Sequence, residues 1–325
     1  MNSSIITIDI GGTKIAGGLV TLPSHSERDE PTDEPLVTSD PAWTTATPAT
    51  GGNHVADEVV ALIKRIAEAT GDSNPIAVGI GSAGVIDPDG RMIVSATDAI
   101  PGWAGTPLAD IVEQAVSLPV VIENDVHAHA RGEALFGAGT GAQSALMVAV
   151  GTGIGGALTL NGDIVRGSRG LAGHVGHIVT PYGRGYRCSC GCDGHLEAIA
   201  SGPGMTRWFN ARGGNATDAR DLEQQAIAED ELARTVLAEA ATATGEIIAG
   251  LVNSFDPDIV ILGGGLARAG NLYWEPLRAG YASQLMPPLA NTPLVPATLG
   301  SSAALIGAAQ LADSLYRGVH HDASN

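Results

Sequence analysis

Apolar positions recur along this chain with two different periods, and the changes of period mark its elements. Residues 4–10, SIITIDI, are short, apolar and β-branched, which predicts a buried strand. The run IAGGLV at 15–20 predicts a returning strand, with Gly-Gly-Thr-Lys as the turn between them. From Asn53 to about Thr70 the period becomes helical, carried by Val55, Val59, Leu62, Ile63 and Ile66. Asn53 is the expected N-cap and Gly71 lies just past the end. Further strands are expected over 76–80, 119–122, 144–150, 157–160 and 259–262, and helices over 126–136 and 303–315. A long Ala-rich helix is expected over 230–255, with Leu232, Val236, Ala240, Ile247, Ile248 and Leu251 along one stripe. Residues 23–52, rich in Pro, Thr, Ser, Asp and Glu, break the pattern and predict a surface excursion.

Strands and helices alternate twice, over 1–122 and again over 144–265, and each half opens with strand, glycine turn, strand. This internal repeat predicts two similar α/β lobes facing a cleft. A length of 325 residues allows two such cores.

Composition sharpens this reading. The 44 glycines follow no collagen-like period, so they point to tight turns and to backbone that approaches something closely. A formal net charge of −18 disfavours nucleic acid as a partner, because the chain repels phosphate backbones. No uninterrupted apolar run reaches the ~18 residues that span a bilayer, and MNSSIITIDI lacks the basic start of a signal peptide. The three cysteines crowd at Cys188, Cys190 and Cys192, a spacing for metal rather than for a disulfide framework. A cytoplasmic protein with no membrane partner is expected.

Two turns carry candidate chemistry. In Asp9-Ile10-Gly11-Gly12-Thr13-Lys14 the glycines let N–H groups approach an anion, Thr13 adds a hydroxyl, and Asp9 can hold the Mg²⁺ of a nucleotide; a plain hairpin is the alternative. Gly151-Thr152-Gly153-Ile154-Gly155-Gly156 repeats the device. It also fits the dinucleotide fingerprint, but ALTLNGDIV follows it in place of a helix, so that reading fails on context. Paired Gly-Thr turns suit a phosphotransferase. Gly264, between Gly263 and Gly265 after a strand, offers a side-chain-free rest for adenine, or simply a helix-entry turn. Asp125, after a strand and at the mouth of a helix, suits a general base or an N-cap. His127 and His129 diverge along that helix and read as structural.

Together these segments resemble the ROK family of sugar kinases and related repressors: DIGGTK at 9–14, GIGSAGVID at 79–87, PGW at 101–103, END at 123–125, GTGIGG at 151–156, GHVGH at 173–177, CSCGCDGHLE at 188–197 and PDIVILGGG at 257–265. The resemblance implies an α/β, two-lobed, actin-like ATPase (ribonuclease H-like) sugar kinase fold with a central cleft. It implies a small lobe of residues 1–122 plus 301–325 and a larger one of 123–300 carrying a zinc site. The family's repressors have a helix-turn-helix domain before the first turn, and a turn starting at Asp9 leaves no room for one, so an enzyme is expected.

By the same resemblance ATP binds through Asp9, Gly11, Gly12, Thr13, Lys14, Gly151, Thr152, Gly153 and Gly264, with Mg²⁺ near Asp9. Asp125 is the catalytic base, and Gly84, Thr97 (with Asp98), Asn124, Asp125, His174, His177 and Glu197 serve the sugar. Family kinases mostly read Gly-Glu-x-Gly-His where this chain has Gly173-His174-Val175-Gly176-His177. A His there is similar to bacterial N-acetylmannosamine kinases, whereas Glu is usual in the glucokinases. The zinc positions match His177, Cys188, Cys190 and His195; the last is Cys in the family, and Cys192, an added thiol, is the alternative fourth ligand. A homodimer is the expected assembly.

Overall fold

The computed structural model of this chain describes residues 2–23, 34–97 and 99–322. It divides into two compact units, Met1–Thr140 with Gly162–Ala172 and Leu299–Asn325, and Gly141–Asn161 with Gly173–Thr298.

In the first unit β1 (Ser3–Ile10) and β2 (Lys14–Leu22) form an antiparallel hairpin, closed at the turn by the pair Ile10 and Ile15. Two short strands, β3 (Leu36–Thr38) and β4 (Thr44–Ala46), pair antiparallel with β2, and Trp43 between them is buried. The later part of the expected surface excursion is therefore sheet edge. Its polar composition hides this, because edge strands keep one side in water. Helix α1 (Gly52–Thr70) buries the predicted stripe, but its N-cap is Gly51 and the expected cap Asn53 lies inside the helix. Gly51 has φ +63°, and a Cβ there would stand 1.8 Å from the Pro101 carbonyl oxygen, so backbone crowding sets the helix start.

On the other side of β1, strand β5 (Ala77–Ser82) runs parallel to it, and beyond a small ribbon of β6 (Val85–Ile86) and β7 (Ile93–Ser95) the chain enters α2 (Leu108–Val116). Strand β8 (Val120–Asn124) then pairs parallel with β5, and α3 (Asp125–Phe136) follows without a loop. Helix α3 packs on the closing helix Ala303–Asp322, which runs past the expected end at 315. The contact is backbone-close, since a Cβ on Gly307 would lie 1.8 Å from the Ala128 carbonyl oxygen. A cut after residue 122 separates these two helices; their packing puts α3 in the first unit instead.

The second unit repeats the strand pattern. Strand β9 (Ser144–Val150) forms an antiparallel hairpin with β10 (Ile154–Leu160), Ile259–Gly263 runs parallel to β9, and Leu294–Pro296 lies parallel beyond it. The second strand starts at Ile154, three residues before its expected start, so the turn is Gly151-Thr152-Gly153 alone. Helix Glu231–Phe255 is long and apolar enough to cross a bilayer. Its Val236, Ala240, Ile248 and Val252 are nonetheless buried with Tyr273 and Leu277 of helix Asn271–Gln284, the arrangement of a core helix.

Candidate active site

In the first unit the three parallel strands end side by side, and their carboxyl ends carry candidate site residues, where α/β sheets commonly place them. Asp9 near the end of β1 lies in register with Gly81 of β5, and Ser82 with Asn124 at the end of β8. With no side chain at Gly81, its Cβ position is 3.7 Å from Asp9 Oδ1 and 3.8 Å from Asp125 Cα. Asp9 and Asp125 therefore flank one glycine.

The helix cap is not Asp125. Asn124 caps α3 through Oδ1, which accepts from the N–H groups of Val126 at 3.0 Å and His127 at 3.1 Å. Its Nδ2 donates to the Gly84 carbonyl at 2.9 Å and to Asp125 Oδ1 at 3.0 Å. The Asn124 amide is thus engaged on both sides and fixes the orientation of Asp125. Burial pushes the Asp125 carboxyl up, opposed by the Val126 N–H, the charge of His127 and the Asn124 amide. Burial also raises Asp9, to about 6, and the Asp125 charge adds to this while Lys14 opposes it. Both carboxyls thus hold a proton more readily than an exposed aspartate does.

The turn after β1 is closed by Gly11 N–H donating to the Lys14 carbonyl at 2.9 Å, and Thr47 Oγ1 donates to the Gly11 carbonyl at 2.6 Å. Gly12, Thr13 and Lys14 are exposed. Gly84 packs against Ser95 and Ala96, which brings it beside Thr97; Asp98 lies outside the described residues.

In the second unit Gly151 N–H donates to the Gly153 carbonyl at 2.9 Å, making a tight hairpin, and Thr152 and Gly153 are exposed. Gly264, at φ +84°, lies against the backbone of Val150, where a Cβ would be 2.3 Å from the carbonyl oxygen. It is also the N-cap of the 3₁₀ turn Gly265–Arg268, so helix entry and closeness to the 151–153 hairpin hold together. The loop 173–177 lies directly on β10. A Cβ on Gly173 would be 2.0 Å from the Gly156 oxygen, and one on Gly176 would be 2.4 Å from that of Ile154. This accounts for the glycine spacing in GHVGH and leaves His174 exposed, its ring stacked on His177 at 5.9 Å.

His177, Cys188, Cys190 and His195 gather one donor atom each within 4.8 Å of one another. His177 Nδ1 is 3.4 Å from Cys188 Sγ, and His195 Nδ1 is 3.2 Å from Cys190 Sγ. These are the edge lengths of a tetrahedron around a zinc-sized ion with two sulfur and two nitrogen ligands, so the residues fit a structural zinc. Among the described residues His195 rather than Cys192 completes the set. Burial pushes the Cys188 thiol up, and the Cys192 N–H holds the Cys190 thiol below its ordinary value.

The structure adds two sets of contacts that the sequence does not show, the second made by a residue, Glu197, that the resemblance assigns to the sugar. Behind Asp125, buried Glu123 pairs with Arg166 and accepts from His127 Nδ1 at 3.4 Å, while His127 Nε2 faces the Ala172 carbonyl at 3.0 Å. Burial pushes Glu123 up, but His127 and Arg166 together outweigh it and hold the carboxyl below its usual range. The second is Glu197, which opens helix α4 (Glu197–Ala200) and accepts from both Ser189 Oγ and the Ile154 N–H.

Comparison with known proteins extends these observations. The ROK family model matches residues 5–314. A glucokinase of Halalkalibacterium halodurans is 32% identical, covering 93% of this chain and 92% of that protein. The bifunctional enzyme NanE/NanK of Brucella melitensis is 31% identical over 97% of this chain and 55% of that protein. A ROK family glucokinase from Streptomyces griseus, solved in complex with glucose and AMPPNP, has a TM-score of 0.79 at 32% identity, covering 96% of this chain and 100% of that one.

Proposed function

Since the chain belongs to the ROK family and has its actin-like ATPase fold, we propose that this ATP-dependent sugar kinase phosphorylates N-acetylmannosamine at the 6-hydroxyl. The carrying observation is Asp125, held by Asn124 at a strand end and flanking Gly81 with Asp9. A carboxylate raised by burial accepts a proton readily at neutral pH. In this reading Asp125 takes the proton of the sugar hydroxyl as that oxygen attacks the γ-phosphorus, and ADP leaves. Asn124 orients the base, and through Gly84 it also fixes the neighbouring loop. Asp9 would hold Mg²⁺, directly or through water, to offset the charge of the phosphates. Gly11, Gly12, Thr13 and Lys14 in one turn, and Gly151, Thr152 and Gly153 in the other, supply phosphate donors, and Gly264 gives adenine a flat rest.

His177, Cys188, Cys190 and His195 would hold a structural zinc, which supplies no chemistry beyond fixing its ligands because no coordination position stays open. His177 presents Nδ1 to that set, so its Nε2 is the nitrogen left for the sugar or a neighbour.

His174 supports the choice of sugar. Where ROK glucokinases usually place a carboxylate, this chain offers an exposed imidazole that both donates and accepts. Glucose is the second reading, favoured by the glucokinases of H. halodurans and S. griseus, each 32% identical to this chain. A coupled ADP-release assay over N-acetylmannosamine, N-acetylglucosamine, glucose and mannose decides between them. N-acetylmannosamine should have the highest kcat/KM. A glucose value tenfold above it would install the second reading, and sugar binding with no ADP release would end the kinase reading.

A further inference from the structure

We infer that Ser189 and Glu197 form a strut through which the metal loop holds the 151–154 phosphate turn in its binding shape. The inference rests on the kinase reading and adds to it a positioning role for a residue, Ser189, with no assigned part in the chemistry. Ser189 stands between the two cysteines of the cluster, and its hydroxyl donates to Glu197 Oε1 at 2.6 Å. The other carboxylate oxygen, Oε2, accepts from the Ile154 N–H at 2.9 Å. One carboxylate therefore joins the loop that would carry the metal to the first residue after the turn.

The turn has little else to fix it. Gly151 N–H is spent on the Gly153 carbonyl, and the Gly151 carbonyl accepts from Gly202 N–H at 2.8 Å. Gly153 itself leans on the strut, since a Cβ there would be 3.0 Å from Glu197 Oε2. Holding Ile154 N–H on the carboxylate orients the Thr152 and Gly153 N–H groups, which have no hydrogen-bond partner among the described residues. Donors fixed in advance bind an anion better than donors that must be ordered on binding.

The metal loop can serve as an anchor because its backbone is tied down independently. Cys188 N–H donates to the Cys192 carbonyl at 2.8 Å, and Gly191 N–H to the Cys188 carbonyl at 2.9 Å. Metal on Cys188 and Cys190 would fix Ser189 from both sides, so occupancy of the cluster reaches the phosphate turn through two hydrogen bonds. Free Ser189 in a loosened loop leaves Glu197 unanchored.

The test measures binding of a non-hydrolysable ATP analogue without sugar, alongside metal content. In metal-loaded protein, Ser189→Ala should weaken nucleotide binding roughly three- to tenfold, the net worth of one ordinary hydrogen bond exchanged with water. Ser189→Thr, which keeps the hydroxyl, should restore it to within about twofold. Metal-free wild type should show the same weakening, and Ser189→Ala should add nothing to it, since both remove one linkage. Unchanged or tighter nucleotide binding in metal-loaded Ser189→Ala overturns the strut. Should that variant fail to keep its metal, unchanged nucleotide binding by metal-free wild type overturns it equally. A wild type that turns over sugar separates this outcome from failure of the kinase reading, which shows as no ADP release from wild type.

Discussion

Both units join an antiparallel hairpin to a parallel strand, β1–β2 with β5 in the first and β9–β10 with Ile259–Gly263 in the second, yet they load the strand ends differently. Asp9 lies in register opposite Gly81; at the equivalent place Ala149 lies opposite Gly263. The first unit thus gathers two carboxylates at its strand ends. The second offers backbone and glycine there, and its candidate site side chains, His174, His177 and the Cys/His cluster, lie beyond β10. The same scaffold therefore divides the work. One copy holds charge that resists burial, and the other holds a neutral turn whose shape depends on its surroundings. Changes in the first should alter catalysis and stability in opposite directions, and changes in the second should alter binding.

The hardest test of that division is Asp125→Asn. The amide keeps the shape and the contact with Asn124 but cannot take a proton, so kcat should fall by about 10²–10⁴ while sugar binding persists. Steady-state kinetics beside a direct sugar titration measure both, and a kcat within a few-fold of wild type removes Asp125 from its role. Asn matches Asp in shape and removes a charge that burial disfavours, so loss of folding is not expected to obscure the result.

Asp9→Asn addresses the cost of burying charge. The Asp9 carboxyl lies at about 6 in the fold against an ordinary 3.8, raised by burial first and by Asp125 second. A carboxyl whose folded value is raised binds its proton more tightly in the native state. The penalty for ionising it is therefore complete above about pH 6 and fades as pH falls towards 4. The gap corresponds to about 3 kcal/mol at neutral pH. Without Mg²⁺ or nucleotide, Asp9→Asn should melt at a higher temperature than wild type at pH 7.5, and the two should converge near pH 4. The same variant should lose most of its turnover. A variant that is no more stable at pH 7.5 would show that the carboxylate is not strained by its surroundings.

How far these sites could be read from the sequence depends on how local their determinants are. Strands β1, β5 and β9 and helix α1 are legible because short apolar runs and a helical stripe act within a few residues. The turns at 9–14 and 151–156 are legible for the same reason. Strands β3 and β4 are not, because Leu36–Thr38 and Thr44–Ala46 pair at a sheet edge with two-thirds of their residues in water. Nor is Gly51 as a cap, since the group that demands glycine there is the carbonyl of Pro101. The Glu123–Arg166 pair joins residues 43 apart, and no local pattern marks Arg166. Asn124 is a partial case. Its place beside Asp125 was legible, but its commitment to capping α3 and to Gly84 emerges only from the strand end.

Metal removal probes the second unit. With the cluster empty, His177 loses the partner that fixes its Nδ1, and the loop it shares with His174 loosens. Chelation followed by desalting should weaken sugar binding about tenfold, in the range found when supporting shells of metal sites are disturbed. Kcat per bound sugar should change less, because Asp125 and Asn124 are untouched. Equal loss in kcat and affinity would mean that the two units do not divide binding from chemistry as their strand ends suggest.

The smallest effect is expected at Cys192, and its smallness is informative. The resemblance makes Cys192 an added thiol and the alternative fourth ligand, and the fold gives the three cysteines different work. Cys188 and Cys190 turn their sulfurs towards His177 and His195, at 3.4 Å and 3.2 Å. Cys192 contributes backbone instead. Its carbonyl accepts from Cys188 N–H at 2.8 Å, and its own N–H lowers the Cys190 thiol, which favours the thiolate that a metal needs. Its side chain is exposed and lies outside the four-donor set. Cys192→Ser keeps that backbone, so it should bind one zinc per chain with affinity within about twofold of wild type, whereas His195→Ala should lose the ion. Metal analysis after competition with a chromogenic chelator reads both. Loss of zinc from Cys192→Ser with retention by His195→Ala would exchange the two residues' roles and move the fourth ligand from the start of the α4 segment back into the CSCGC turn.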